Sequence, residues 1–400
     1  MPYKDLREWL NVLEKSGELQ KVEKEVDWNL EVGAITRKVY DLKAPAPLFQ
    51  KIKGYPEGYR ILGAPVGLSA RNKYARMAMA LDMPLDSTIR DLTEEYIKRK
   101  KNPILPVVVK EGPCQENVLT GEEVDLFKFP APMVHEGDGG RYICTWHTVI
   151  SKDPDTEWVN YGMYRQMIHD KNHLSIPAIP IEHIGQHYQK YAQRGKRMEF
   201  ATAIGTEPVT ALISATALPA GVNEADIIGA LRGEPLELVK CKTVDLYVPA
   251  TSEIVIEGYI DPDERRDEGP FGEYTGYSAG GKHFWPVCTV TAITHRTNPI
   301  IPMSVMGVPV DDAAVVMKFT MGAEILEELR DKRRFPVEFV YFPPEGVGHI
   351  CIVSTKKVPK SFTAYPRSLA MNIWSTKSGH DYSNIVMVVN DDVDITDLGQ

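Results

Sequence analysis

The chain has 400 residues, 43 % of them hydrophobic and 25 % charged, the balance of an ordinary globular protein with enough chain for two or three domains. Its 46 basic and 55 acidic residues leave a net charge of −9, which argues against a general nucleic-acid or anionic-membrane binder. No apolar run reaches a membrane span and no secretory signal opens the chain, so Cys114, Cys144, Cys241, Cys288 and Cys351 read as reduced cytoplasmic thiols, neither a disulfide framework nor a zinc site.

Leu6, Trp9, Leu10 and Leu13 recur at helical spacing and Gly17 follows, which predicts a helix over 4–16. Asp27, Ser69 and Ser87 are the expected caps of three further helices, with short apolar pieces at 48–49 and 60–62 between them. This alternation predicts an N-terminal α/β domain over 1–112. From there to about 305 the chain turns β-branched and is punctuated by Gly, Pro and Asp, which predicts a β-rich barrel or sandwich interrupted by helices near 183–195 and 223–231. Residues 243–248 and 253–260 read as a hairpin about Pro249-Ala-Thr-Ser252, followed by strands at 287–294 and 300–305. The final segment, 306–400, completes a strand-helix-strand-strand-helix-strand order that opens with 300–305 and predicts a ferredoxin-like α/β domain.

Several stretches carry chemistry. Glu268-Gly-Pro-Phe-Gly-Glu273 sets two carboxylates five residues apart across a turn. Gly269 and Gly272 there admit unusual backbone angles and Pro270 stiffens the bend. Two carboxyls held close push their proton affinities apart, so one can be an acid while the other stays charged. A polar turn between strands is the ordinary alternative. Asn160-Tyr-Gly-Met-Tyr-Arg165, expected on one strand over 158–167, offers a carbonyl ligand and a charged fork suited to carboxylate or phosphate, or a cross-strand polar pair. Glu182-His183 opens a helix on which His187 is expected to cover the surface, leaving His183 as the better ligand.

Ser214-Ala215-Thr216 is expected to lead from a small-residue strand toward a helix start at Asn223, where a ligand can approach backbone N–H groups. Glu224 reads as an ordinary first-turn acid or as a ligand. Asn160, His183 and Glu224 together form a carbonyl, imidazole and carboxylate set that suits Mn²⁺ or Mg²⁺ holding a phosphate. Lys377 reads either as a phosphate contact or as a solvated lysine. Asp391, Asp392 and Asp394 offer a cation site or plain capping, and His283, Phe284, Trp285 and Tyr277 an aromatic pocket or core.

On these residues, together with Leu-Pro-x-Gly-x-x-Glu224 through Gly233 and the closing Val-Val-Asn-Asp391-Asp-Val-Asp-Ile395, the chain resembles the UbiD family of prenylated-FMN-dependent decarboxylases over about 5–398. The resemblance implies that the central domain, 113–305, is a split-barrel-like flavin domain and that 306–400 mediates oligomerisation. It implies that Arg165, Glu268 and Glu273 are catalytic. Asn160, His183 and Glu224 are implied to hold the Mn-type ion, with K⁺ near Ser214 and Glu224. The cofactor is implied to lie against Asn160, Met163, Tyr164, Arg165, Glu182, Ser214, Ala215, Thr216 and Lys377.

The implied reaction is reversible, non-oxidative decarboxylation of an aromatic, heteroaromatic or α,β-unsaturated acid through a covalent cofactor adduct. Glu273 would be the proton donor, and a flavin prenyltransferase would supply the cofactor. Two features depart from the family pattern: an acid at Glu182 where some members carry a neutral amide, and a run at 214–216 with fewer hydroxyls. The chain ends at Gly399-Gln400 where relatives continue, which weighs against a hexamer; a homodimer or higher homo-oligomer is expected. The alternatives are a non-catalytic cofactor-binding or assembly subunit of a larger carboxylase and a flavin oxidoreductase on a similar barrel.

Overall fold

The computed structural model describes every residue except 2, 278, 279, 358–361 and 400, so the chain end at Gln400 lies outside the described residues. The first helix, Leu6–Ser16, forms where the spacing predicts it. Asp5 accepts the Glu8 N–H, Gly17 closes the helix at φ +74°, and Leu6, Trp9, Leu10 and Leu13 are buried. The other caps differ from expectation. Asp27 is drawn aside by the Asn29 N–H and Lys53, and the helix Glu31–Leu42 starts later. Ser69 donates to buried Glu18, so its helix shrinks to Ala75–Ala80. Thr88, in a capping box with Asp91, replaces Ser87 at the head of Ile89–Lys100.

Four sheets form among the described residues. The first has the order Leu19–Val22, Ala46–Phe49, Arg60–Gly63, Ile300–Met303. Its last strand was expected to open the C-terminal domain but runs parallel to Arg60–Gly63. That strand is buried throughout: Ile300 packs with Trp9 and Leu13, and Ile301 and Met303 pack with the central core. The C-terminal sheet therefore has three strands, Val337–Tyr341, Ile350–Thr355 and Ile385–Asn390, and lacks the opening strand of the ferredoxin-like pattern. Its helices are Asp312–Leu326, Tyr365–Trp374 and Lys377–Tyr382.

The central sheet has nine antiparallel strands and curls into a half-barrel, giving a mixed α/β, multidomain fold. Its spine is the pair Ile254–Glu268 and His283–His295, whose register shifts twice, and such bulges bend and twist a strand. The hairpin expected about 249–252 does not form. Tyr247–Pro249 joins Glu237–Lys240 and Val107–Val109 in a separate sheet, while the wholly buried start of Ile254–Glu268 pairs with Met198–Ile204 and His283–His295.

Candidate active site

Asn160 lies on the strand Val159–Gly162 and Arg165 just before the strand Gln166–Asp170, so the single strand expected over 158–167 is interrupted. The interruption depends on Gly162. A Cβ there would stand 2.3 Å from the Tyr164 ring, which folds back over the glycine. Asn160 is buried, and its Oδ1 lies 3.1 Å from Nδ1 of His183, the first residue of the helix His183–Ala192. The same Nδ1 is 3.9 Å from Oε1 of Glu224, the first residue of the helix Glu224–Arg232. The other Glu224 oxygen accepts the Tyr161 N–H at 3.0 Å. On the far side of the imidazole, Lys377 Nζ is 2.9 Å from Nε2, so Lys377 belongs to the site and is not a solvated surface lysine.

This end of the site resists charge. Burial raises Glu224 to about 7, against the pull of its backbone N–H contacts. Burial, and then the Lys377 charge, lower His183 to about 3. Burial also lowers Lys377, opposed by Glu182, Asp381 and Glu224. A neutral imidazole, an amide carbonyl and a buried carboxylate converging on one point form a donor set that fits an Mn²⁺- or Mg²⁺-type ion, whose charge would restore the ionised carboxylate. No group of three His, Cys, Asp or Glu that could hold a metal occurs among the described residues; the set here counts an amide, Asn160, as its third donor.

Two expectations change here. His187 is fully buried, with Nδ1 3.0 Å from the Ser151 hydroxyl and its ring against Trp158, because that helix face packs inward. Ser214 ends a helix, Pro208–Ser214, where a strand was expected; Glu207 caps it by accepting the Val209 and Thr210 N–H groups.

The opposite end is an ion-pair network. Arg165 grips Glu268 with two hydrogen bonds, 2.9 Å from Nε and 3.0 Å from Nη2, and its Nη1 donates to Glu273. The Tyr142 hydroxyl donates to Glu268 at 2.7 Å. Burial disfavours charge on Arg165, but the hydrogen bond and charge of Glu268, with the charge of Glu273, outweigh it and raise its pKa. Glu268 closes the strand Ile254–Glu268, and the loop after it swings Glu273 to the other edge of the guanidinium. Gly139 holds that loop: its N–H donates to the Pro270 carbonyl at 2.7 Å, and a Cβ on it would lie 2.0 Å from the Gly269 oxygen. Gly269 has the left-handed φ of +86°. Gly272 does not, and is needed instead for space against the His135 ring. Its N–H donates to Asp138 at 3.0 Å.

Both ends open into one cavity of about 290 Å³. Every catalytic, cofactor and metal residue that the family resemblance implies lies in its wall except Glu268, which stands fully buried behind Arg165. The sequence reading missed Tyr142 and Asp138, which hold the acidic turn, and Tyr274, Lys318 and Tyr382, which close the wall from the C-terminal side. Tyr274 directly follows Glu273 and was within reach of that reading; the others come from distant segments with no motif of their own. Tyr277, His283, Phe284 and Trp285 are not in the wall. Tyr277 and Phe284 are 76 % and 67 % exposed, because the loop and the end of its hairpin project outward. Asp391, Asp392 and Asp394 are exposed, and Asp394 accepts from the Thr396 backbone and hydroxyl.

Three family models cover the chain: the N-terminal domain of 3-octaprenyl-4-hydroxybenzoate carboxy-lyase over residues 10–96, its Rift-related domain over 106–309 and its C-terminal domain over 314–400. This chain belongs to the UbiD family. As a UbiD-family carboxy-lyase it is 37 % identical over 404 residues to pyrrole-2-carboxylic acid decarboxylase of Pseudomonas aeruginosa, covering 99 % of this chain and 81 % of that one. Among solved structures, the closed form of vanillic acid decarboxylase from Sedimentibacter hydroxybenzoicus superposes with a TM-score of 0.91 at 32 % identity, covering 99 % and 83 % of the two chains. An evolved dimeric form of the UbiD-class enzyme HmfF from Pelotomaculum thermopropionicum, in complex with prFMN, gives 0.86 at 30 %, covering 99 % and 87 %. No helix among the described residues is long and apolar enough to cross a membrane, and the five cysteines are buried and free.

Proposed function

We propose that this UbiD-family carboxy-lyase decarboxylates an aromatic, heteroaromatic or α,β-unsaturated carboxylic acid with prenylated FMN, reversibly and without net oxidation. The observation that carries the reading is the joining of the two ends: one cavity has an amide–imidazole–carboxylate donor set at one side and a guanidinium shared by two carboxylates at the other. In this reading Asn160, His183 and Glu224 would hold an Mn²⁺-type ion that helps bind the cofactor's phosphate, with Lys377 as a further cation and K⁺ near Ser214 and Glu224. Met163, Tyr164, Glu182, Ala215 and Thr216 line the cofactor's berth.

Loss of CO₂ from an sp² carbon leaves an electron pair that no side chain can delocalise, and prenylated FMN, when bound, supplies the electron sink. The chain's own residues do the rest. Arg165 carries a permanent charge suited to orienting a carboxylate. Glu268 and Tyr142 fix the guanidinium from behind, where water does not reach. Glu273, at the cavity wall and 21 % exposed in its side chain, takes up a proton from solvent and passes it to the carbon that CO₂ leaves. The trio is complete on this chain, which supports turnover by the chain itself over a purely assembling role.

In this reading a flavin prenyltransferase supplies the cofactor and the chain forms a homodimer or a higher homo-oligomer. The test is co-expression with and without such an enzyme, followed by anaerobic absorbance, intact cofactor mass, manganese content and a screen of aromatic acids. Prenylated flavin with manganese and CO₂ release is the expected result. Plain FMN or no cofactor under both conditions would refute the reading.

A further inference from the structure

Lys318 stands in the wall of the same cavity without a counter-charge. It lies on the helix Asp312–Leu326 and is only 4 % exposed. Its Nζ makes no ion pair among the described residues. It lies 3.7 Å from the Met321 sulfur and faces the rings of Tyr382 and Tyr274, whose centroids are 4.8 and 5.8 Å away. Gly348, at φ +90°, leaves the ammonium its room, since a Cβ there would stand 2.8 Å from Nζ. Tyrosine faces compensate a cation only in part, and an unpaired buried ammonium is costly. Burial accordingly lowers Lys318 to about 8, with Asp311 opposing from a distance.

Packing alone gives no reason for a cation here, because methionine fills much the same volume with no charge to desolvate. The direction left to the ammonium is the cavity. Tyr274 joins the two regions: it follows Glu273 in the chain and also flanks Lys318. Tyr274 thus links the end of the cavity that holds Arg165 and Glu273 to the wall that carries Lys318.

We propose that Lys318, flanked by Tyr274 and Tyr382, determines specificity for the far end of the substrate, selecting an acid that carries an oxygen acceptor there, either a ring hydroxyl or a second carboxylate. This rests on the decarboxylase reading of the cavity. A site built to satisfy a polar substituent rejects the analogue that lacks it, since its own buried polar group is then left unpaired.

The test is calorimetric binding of benzoate, 4-hydroxybenzoate and terephthalate to the cofactor-loaded protein and to its Lys318→Met and Lys318→Gln variants, each checked for retained flavin and circular dichroism. The wild type is expected to bind one or both substituted acids at least tenfold more tightly than benzoate. Lys318→Met should erase that preference while leaving benzoate within twofold. Lys318→Gln separates the sources: a hydroxyl ligand keeps part of its advantage through the amide, whereas a carboxylate ligand loses it. Unchanged ratios in Lys318→Met, or a wild type that favours benzoate, overturn the assignment of Lys318 while the decarboxylase reading stands. If none of the three acids binds the loaded wild type, this proposal fails, while the decarboxylase reading stands or falls on its own test of cofactor content and CO₂ release.

Discussion

The two ends of the cavity solve opposite electrostatic problems. Around Arg165 the charges answer one another: one guanidinium lies between two carboxylates, a phenol satisfies Glu268 further, and the loop carrying Glu273 is tied down by Asp138 and Gly139. Around His183 they do not. A buried carboxylate, a depressed imidazole and a depressed lysine stand within reach of one another, each held away from its charged form. The first network is complete from the chain alone. The second is a set of ligands that a cation would complete. A closed network fixes geometry for proton transfer; an open one confers affinity for something added.

Breaking the Arg165 end should therefore cost rate and leave binding intact, and breaking the His183 end should do the reverse. Glu273→Gln keeps size and one hydrogen-bond acceptor but has no proton to deliver, so turnover is expected to fall roughly 10²–10⁴-fold. Flavin and manganese content should be unchanged; parallel loss of cofactor would show that the two ends are not independent. Glu224→Ala removes the only full charge from the donor set. Manganese, measured by mass spectrometry, should drop to background and the prenylated flavin should follow it, whereas full retention of both would remove Glu224 from the ligand set. Tyr142→Phe is milder. It deletes one buried hydrogen bond to Glu268, an effect of about 1–2 kcal/mol, so kcat should fall about five- to thirtyfold with manganese content unaffected.

The same contrast explains what was legible in the sequence. Glu268 and Glu273, Asn160 and Arg165, and His183 all sit in short ordered motifs, and local spacing made them readable. Their supports did not sit in such motifs: Tyr142 lies 126 residues from Glu268, and Asp138 lies 134 from Gly272. Lys318 had only a helix to recommend it. Among the elements, the helix Leu6–Ser16 was readable because its apolar face and the closing Gly17 agree. The hairpin about 249–252 was misread because alternation tells which residues are buried and not which sheet receives them. The strand Ile300–Met303 was assigned to the wrong domain for the same reason.

Asp312 offers the finest test of the comparison, because it is a third buried acid and is satisfied differently from the other two. It opens the helix Asp312–Leu326, accepts the Val66 N–H at 2.8 Å, and takes the Tyr40 hydroxyl on its other oxygen. Burial raises it to about 7 despite those bonds. A carboxyl whose folded pKa lies above its unfolded value stabilises the fold while protonated. That contribution is whole below about pH 4 and is lost as pH rises through about 7. An amide is neutral at every pH: its oxygen can accept the Val66 N–H while its NH₂ donates to the Tyr40 hydroxyl oxygen, reversing that bond. Asp312→Asn should therefore leave Tm near its wild-type value at pH 5 and raise it by about 2–4 °C at pH 8, roughly 1 kcal/mol. The two pH–stability profiles should converge on acidification. Equal destabilisation at both pH values would mean that Asp312 is needed as a charge, as Glu224 is proposed to be, and the distinction between a buried acid satisfied by neutral donors and one that awaits a cation would fail at this position.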